Sequence, residues 1–253
     1  MGRKFCIAAA VVLAMAGRGD AQQAVYYNMD VNHFTGFGWY EDPLQTNTSF
    51  NSATNNRMTI FVADDIFTSP NLPTTIGRFQ FTMFSDNFQT VVARPRIFFY
   101  NNNGLSFGPG TFIKEYALNP ISIASNNVLL LDVNVEADPF NIDGSFWAAV
   151  AFDDFNGTTG ITEEQLKHLG QGIFDPPNLG DSSDNYFHSS ALINFAINNP
   201  QGLIDDFLGI LPANFGWAFF RTNPVPEPST FVLVAAVGGL LWVARRRTAR
   251  SAA

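Results

Sequence analysis

Between Ile76 and Phe84 the chain reads IGRFQFTMF, with Phe79, Phe81 and Met83 alternating with Arg78, Gln80 and Thr82. Successive side chains of a strand point to opposite faces, so this run predicts a half-buried antiparallel strand. Seven further runs share its character: Ala24–Val31, Arg57–Val62, Val91–Tyr100, Thr111–Tyr116, Asn127–Val135, Phe146–Phe152 and Gly216–Arg221. Each is short and rich in Val, Ile, Phe, Tyr or Thr, and turn-forming clusters separate them. Pro95 falls inside Val91–Tyr100 and removes a backbone donor, which predicts an edge strand or a bulge there. Asn101-Asn102-Asn103-Gly104 predicts a turn. One helix is expected. Thr162-Glu163-Glu164-Gln165 spells a capping box, Leu166 and Leu169 share a face, and Gly170 supplies the stop. No βαβ alternation and no fixed-period repeat is present. The expectation is an all-β chain: a single β-sandwich, jelly-roll-like, with one short helix.

The two ends read differently from the middle. Arg3 and Lys4 precede Phe5–Ala16, a twelve-residue apolar run without a charge, and small residues follow it. A basic head, a short apolar core and a small-x-small exit predict a secretory signal peptide over 1–21. Cleavage would follow Ala16 or Ala21. Cys6, the only cysteine, lies inside that run, so the mature chain would carry neither disulfides nor cysteine-ligated metals. A hydrophobic core in 22–224 must then supply the stability.

At the other end Pro224, Pro226 and Pro228 hold the backbone extended. Thr230–Ala244 follows without a charge, and Arg245, Arg246 and Arg247 close it. As a helix, 230–244 would be about 22 Å long. It would span a hydrocarbon core of about 30 Å only with local thinning or snorkelling arginines. The arginines predict stop-transfer, with the preceding domain on the outer side. Val225-Pro226-Glu227-Pro228-Ser229, a short apolar helix and an arginine cluster, in that order, resemble the PEP-CTERM protein-sorting domain over 225–250. The resemblance implies that Val225, Pro226, Glu227 and Pro228 form the sorting motif, read by an exosortase-type processing enzyme. It implies a transient anchor in the inner membrane through 230–244, a basic tail at 245–250, and delivery to the cell surface or extracellular matrix. Phe146–Phe187 also resembles a segment of planctomycete-type PEP-CTERM ectodomains, which supports the family and assigns no activity.

Between Gln22 and Val225 seven Lys and Arg stand against twenty Asp and Glu, a net charge of −13. Such a domain repels nucleic acid and anionic headgroups, so no nucleic-acid partner is expected. Gly104-Leu105-Ser106-Phe107-Gly108 matches G-x-S-x-G, but Pro109-Gly110 forbids the helix that a nucleophile elbow requires, and a hairpin loop is expected instead. His33, His168 and His188 stand at no close metal-ligand spacing. The pairs Asp64-Asp65, Asp153-Asp154, Glu163-Glu164 and Asp205-Asp206 place neighbours on opposite faces wherever they lie in strands. No catalytic dyad is expected from them. The oxygen-rich turn of Asp153, Asp154 and Asn156 could hold calcium, although neither it nor Asp138–Gly144 fits an EF-hand loop. No other cofactor is expected. Trp39, Tyr40 and Trp217 are candidates for a sugar-stacking platform, with exopolysaccharide as the partner. These observations predict a non-enzymatic structural or adhesive protein of the surface or matrix. A glycan- or calcium-binding module is the alternative, and a secreted hydrolase the third.

Overall fold

The computed structural model describes residues 22–39, 48–51, 56–104, 108–189, 200, 202–205 and 214–222. The segments 1–21 and 225–250 lie outside the described residues, and with them the sorting motif, the apolar run 230–244 and Arg245–Arg247. Among the described residues no helix is long and apolar enough to cross a membrane.

The domain Ala24–Thr222 is all-β, built of two antiparallel sheets. In chain order its strands are β1 (Ala24–Tyr27), β2 (Phe34–Trp39), β3 (Thr48–Asn51), β4 (Asn56–Thr59), β5 (Val62–Phe67) and β6 (Thr74–Ser85). Then come β7 (Val91–Asn101), β8 (Phe112–Ala117), β9 (Ile121–Ile123), β10 (Asn127–Asn134), β11 (Phe140–Ile142) and β12 (Ser145–Asp153). A short helix α1 (Glu163–Lys167) precedes β13 (Leu169–Phe174), β14 (Tyr186–Ser189), β15 (Gly202–Asp205) and β16 (Trp217–Arg221). The first sheet runs β1-β16-β6-β13-β2, with β10 and β11 on the other edge of β6. The second runs β15-β14-β5-β12-β4-β3, with β7 beside β12 and both β8 and β9 beside β7.

Each sheet is organised around one long strand. On β6, Phe79, Phe81 and Met83 are fully buried and join the main core, as the alternation predicts. From the second sheet Ile97 and Phe99 of β7, and Phe146, Ala148, Val150 and Phe152 of β12, enter the same core. Aromatic rings tie the sheets together. Phe79 meets Phe99 edge-on at 5.3 Å, Phe146 meets Phe219 edge-on at 4.9 Å, and Phe99 stacks on Phe140 at 4.2 Å. The alternate residues of β12 explain why the whole run FWAAVAF is apolar. Trp147, Ala149 and Ala151 enter a second buried cluster with Phe61, Phe98, Tyr100 and Phe187, so both faces of this strand are covered.

Several expectations need correction. The run Ala24–Val31 is a strand only to Tyr27; Asp30 then caps a 3₁₀ turn over Val31–His33 by accepting from Asn32 N at 2.9 Å. Arg57–Val62 is two strands, broken at Ile60-Phe61, where Phe61 N donates to Ser189 Oγ at 3.0 Å. Pro95 lies neither on an edge nor in a bulge: β7 pairs without interruption with β12 on one side and has β8 and β9 on the other. The Pro95 carbonyl accepts from Leu118 N at 3.0 Å, so its donor-less nitrogen faces the same side, at the gap between the end of β8 and the start of β9. The helix keeps its capping box, with Gln165 N donating to Thr162 Oγ1 at 3.2 Å and Thr162 N to Gln165 Oε1 at 2.9 Å. It stops at Lys167, however, with His168 as C-cap; Leu169 and Gly170 already belong to β13, where Gly170 pairs with Phe84 and Trp39.

Phe99 touches rings from both sheets, so Phe99→Ala leaves a cavity at their junction. Its expected cost is about 3–5 kcal/mol of folding stability, read by denaturant unfolding, with an unchanged slope if the fold persists.

Candidate functional site

Strand β5 reads VADDIF and is buried along almost its whole length. Val62 and Ile66 face the main core, so by alternation Asp64, midway between them, faces it too; Ala63 belongs to the second cluster. Asp64 is fully buried and Asp65 nearly so. A carboxyl in that position requires hydrogen-bond partners or a proton.

The partners come from a strap, residues 178–183, that is hydrogen-bonded to both sheets. On one side Tyr27 N donates to Leu179 O at 3.0 Å and Asn178 N to Tyr27 O at 2.9 Å. On the other, Phe67 and Asp181 exchange two bonds of 2.9 Å. Gly180 makes this approach feasible. Its φ is +86°, and a Cβ there would stand 2.5 Å from Phe67 O and 2.7 Å from the Tyr26 ring. The strap delivers Ser182 Oγ to 2.8 Å from Asp64 Oδ1 and 3.3 Å from Asp65 Oδ1. Ser183 N donates to Asp65 Oδ1 at 2.8 Å, and Phe215 N to Asp64 Oδ2 at 2.9 Å. One hydroxyl therefore reaches both carboxyls, although they are neighbours on a strand whose side chains alternate between its faces. The strap crosses the strand edge, where both side chains can be met.

No cation pairs with Asp64 or Asp65 among the described residues. Burial, and then the Asp65 charge, push the Asp64 carboxyl far above the usual carboxylate range. Burial raises Asp65 as well, against the hydrogen bonds from Ser183 and Ser182. Proton counting points the same way. A serine hydroxyl has one proton, and two ionised carboxylates would compete for it. With Asp64 protonated, its O–H donates to Ser182 Oγ, and Ser182 donates to Asp65. Tyr26 Oη is buried in the same place, close to Ser182 and Asp64. Burial, then Asp64, raises its pKa well above the ordinary value. The arrangement clamps the strap and leaves both carboxyls buried.

Of the residues considered for calcium, Asp153 and Asp154 make hydrogen bonds within the chain. Asp153 receives Arg94 Nε at 2.7 Å, a second bond from Arg94 Nη2, and Asn56 Nδ2 at 3.1 Å. Asp154 Oδ1 accepts from Arg57 N at 3.1 Å and Gly157 N at 3.0 Å. Asn156 takes a left-handed turn position at φ +58°. Arg94 is itself laid over the Phe155 ring. Among the described residues no group of three or more His, Cys, Asp or Glu is gathered for a metal.

His168 Nδ1 lies 3.0 Å from Asp86, His33 Nδ1 lies 2.8 Å from Pro176 O, and His188 Nε2 lies 3.9 Å from Asp205. The three histidines are thus separately employed. Of the platform residues, Trp217 is fully buried among Phe79, Phe81 and Phe219 and cannot stack on a sugar. Tyr40 lies outside the described residues, as do Leu105-Ser106-Phe107 of the G-x-S-x-G match. The flanks of that match connect β7 to β8, an antiparallel pair, with no helix. The chain matches no known family profile, no curated protein and no solved structure.

The buried pair yields a signed pH dependence. A folded state that keeps a proton which the unfolded chain has lost is weakened as pH rises from about 4, the ordinary carboxylate value, toward the raised one. Asp64→Asn supplies a permanent N–H for Ser182 and an oxygen for Phe215 N. The expected result is a melting temperature at pH 8 at or above wild type, with a flatter pH profile. Asp64→Ala, which strands both partners, is expected to lose about 1–3 kcal/mol. Thermal melts between pH 4 and 9 read all three proteins.

Proposed function

We propose that the chain is an exported bacterial protein sorted through its C-terminal segment, and that the domain 22–224 has a structural or adhesive, non-enzymatic role at the cell surface or in the extracellular matrix. The observation that carries this reading is the ordered tail: Val225-Pro226-Glu227-Pro228, the uncharged run 230–244, then Arg245-Arg246-Arg247. Its resemblance to the PEP-CTERM sorting domain implies an exosortase-type enzyme as the processing partner and the inner membrane as a temporary station. The basic, apolar, small-residue pattern of 1–21 supports export.

The two sheets are read here as a jelly-roll-like sandwich. Support comes from one aromatic core shared by residues of both sheets. A non-enzymatic role is supported by how the polar side chains are used. The acid pair of β5 is sealed, and Asp153 is locked by Arg94. The net charge of −13 between Gln22 and Val225 suits solubility outside the cell and disfavours nucleic acid.

The test is genetic and biochemical. Glu227→Ala combined with Pro228→Ala, expressed in a host that carries the processing enzyme, is expected to accumulate as a membrane-held precursor while wild type appears in the surface or released fraction. Equal release of both proteins would remove the sorting claim.

A further inference from the structure

The strand β10, NVLLLDVN, pairs with β6 through eight unbroken register positions, Asn127↔Ser85 to Asn134↔Arg78. It pairs with no other strand among the described residues. Half of its N–H and C=O groups therefore point away from the sheet with no ladder partner. Edge strands of this length are ordinarily blunted by lysine, proline, a bulge or a covering element. β10 has no lysine and no proline, and its register contains no bulge. Its outward side chains include Leu130, 58% exposed, and Val128, 40% exposed.

Charge narrows the choice of partner. Two copies of a domain at −13 repel each other over most of their surface. Within β10 the sole charged residue is Asp132, and Arg78 of the neighbouring β6 neutralises it through two bonds of 2.7 and 2.5 Å. The edge is thus a locally neutral, apolar line on an acidic body. The strand is also close to self-complementary when reversed. An antiparallel pairing about a two-fold axis at Leu130 sets Leu130 against its own copy and Val128 against Asp132, while Leu129 faces Leu131. Every outward residue then lies on the outward face of the joint sheet, as an even register sum requires. The two Asp132 residues stand four positions apart in register, each still carried by its own Arg78. A two-fold at Leu131 would instead oppose Leu130, the most exposed leucine of β10, to Asp132.

We infer that β10 is a self-association edge, along which two copies of this chain join the first sheets of both into one continuous antiparallel sheet with Leu130 on the two-fold axis. Such an isologous contact closes on itself and gives a dimer, not a fibre. The inference is independent of how the chain is sorted.

The chain is suited to a direct test because Cys6 is its only cysteine. In the full chain carrying Cys6→Ser, single cysteines are placed at 128, 129, 130, 131 and 132, with Val31→Cys, an exposed position outside β10, as control. Directly opposed residues sit about 4.5–5.5 Å apart at Cβ, close to the roughly 3.5–4.5 Å that a disulfide spans, whereas diagonal neighbours lie about 7–8 Å apart. Mild oxidation followed by non-reducing electrophoresis is expected to give a maximum of cross-linked dimer at Leu130→Cys, falling on both sides. Sedimentation of the cysteine-free chain is expected to show a dimer that Leu130→Lys abolishes with its circular dichroism unchanged. A flat profile, a maximum at another position, cross-linking no greater than that of Val31→Cys, or a monomer before any β10 substitution would each overturn the inference.

Discussion

The fold depends on aromatic contact between two sheets that no covalent bond joins. Cys6 is the only cysteine, so no disulfide can close any loop of the chain within itself. What replaces it is apolar area. Phe79 against Phe99, Phe99 on Phe140 and Phe146 against Phe219 place rings of opposite sheets within 4.2–5.3 Å. Such pairs add roughly 0.5–1.5 kcal/mol each beyond the area they bury. The positions of β6 and β12 follow from this contact, and the other strands pair outward from those two.

Against that apolar background, Asp64 is the main exception. An ionised carboxylate between two sheets without a cation would be expelled or neutralised, and here neutralisation is the available course. One serine hydroxyl reaches both acids, and the serine is carried on the strap that links β1 to β5. The polar cluster therefore fastens the two sheets at one end, beside the edge-on contact of Tyr186 with Phe215. It does so with directional bonds whose strength depends on pH.

Much of this architecture is legible in the sequence. The alternation of Phe79, Phe81 and Met83 marks β6, and the capping box marks α1 to the residue at its N-terminus. The parts that escape do so for physical reasons. β5 hides because Asp64-Asp65 in its centre resembles a turn, and only tertiary partners far along the chain make its burial tolerable. β13 hides because Gly170 and Gly172 resemble a helix stop, whereas the lack of a side chain at Gly172 admits the Phe174 ring and Thr82. Pro95 reads as an edge signal, yet a gap between β8 and β9 excuses its missing donor inside a sheet. The site residues Ser182 and Phe215 carry no local pattern, because their roles are set by contacts with Asp64 that lie 118 and 151 positions away along the chain.

The proposed role rests on the two ends of the chain, and the domain between them supplies a stable acidic body to be delivered. Delivery through double processing is the claim on which the functional account stands. Its most direct measurement is the intact mass of the protein recovered from the membrane and released fractions of its native host. The account predicts a chain that begins near Gly17 or Gln22 and ends near Pro226–Pro228. A chain that retains Thr230–Ala253 and occurs only in membranes would contradict it.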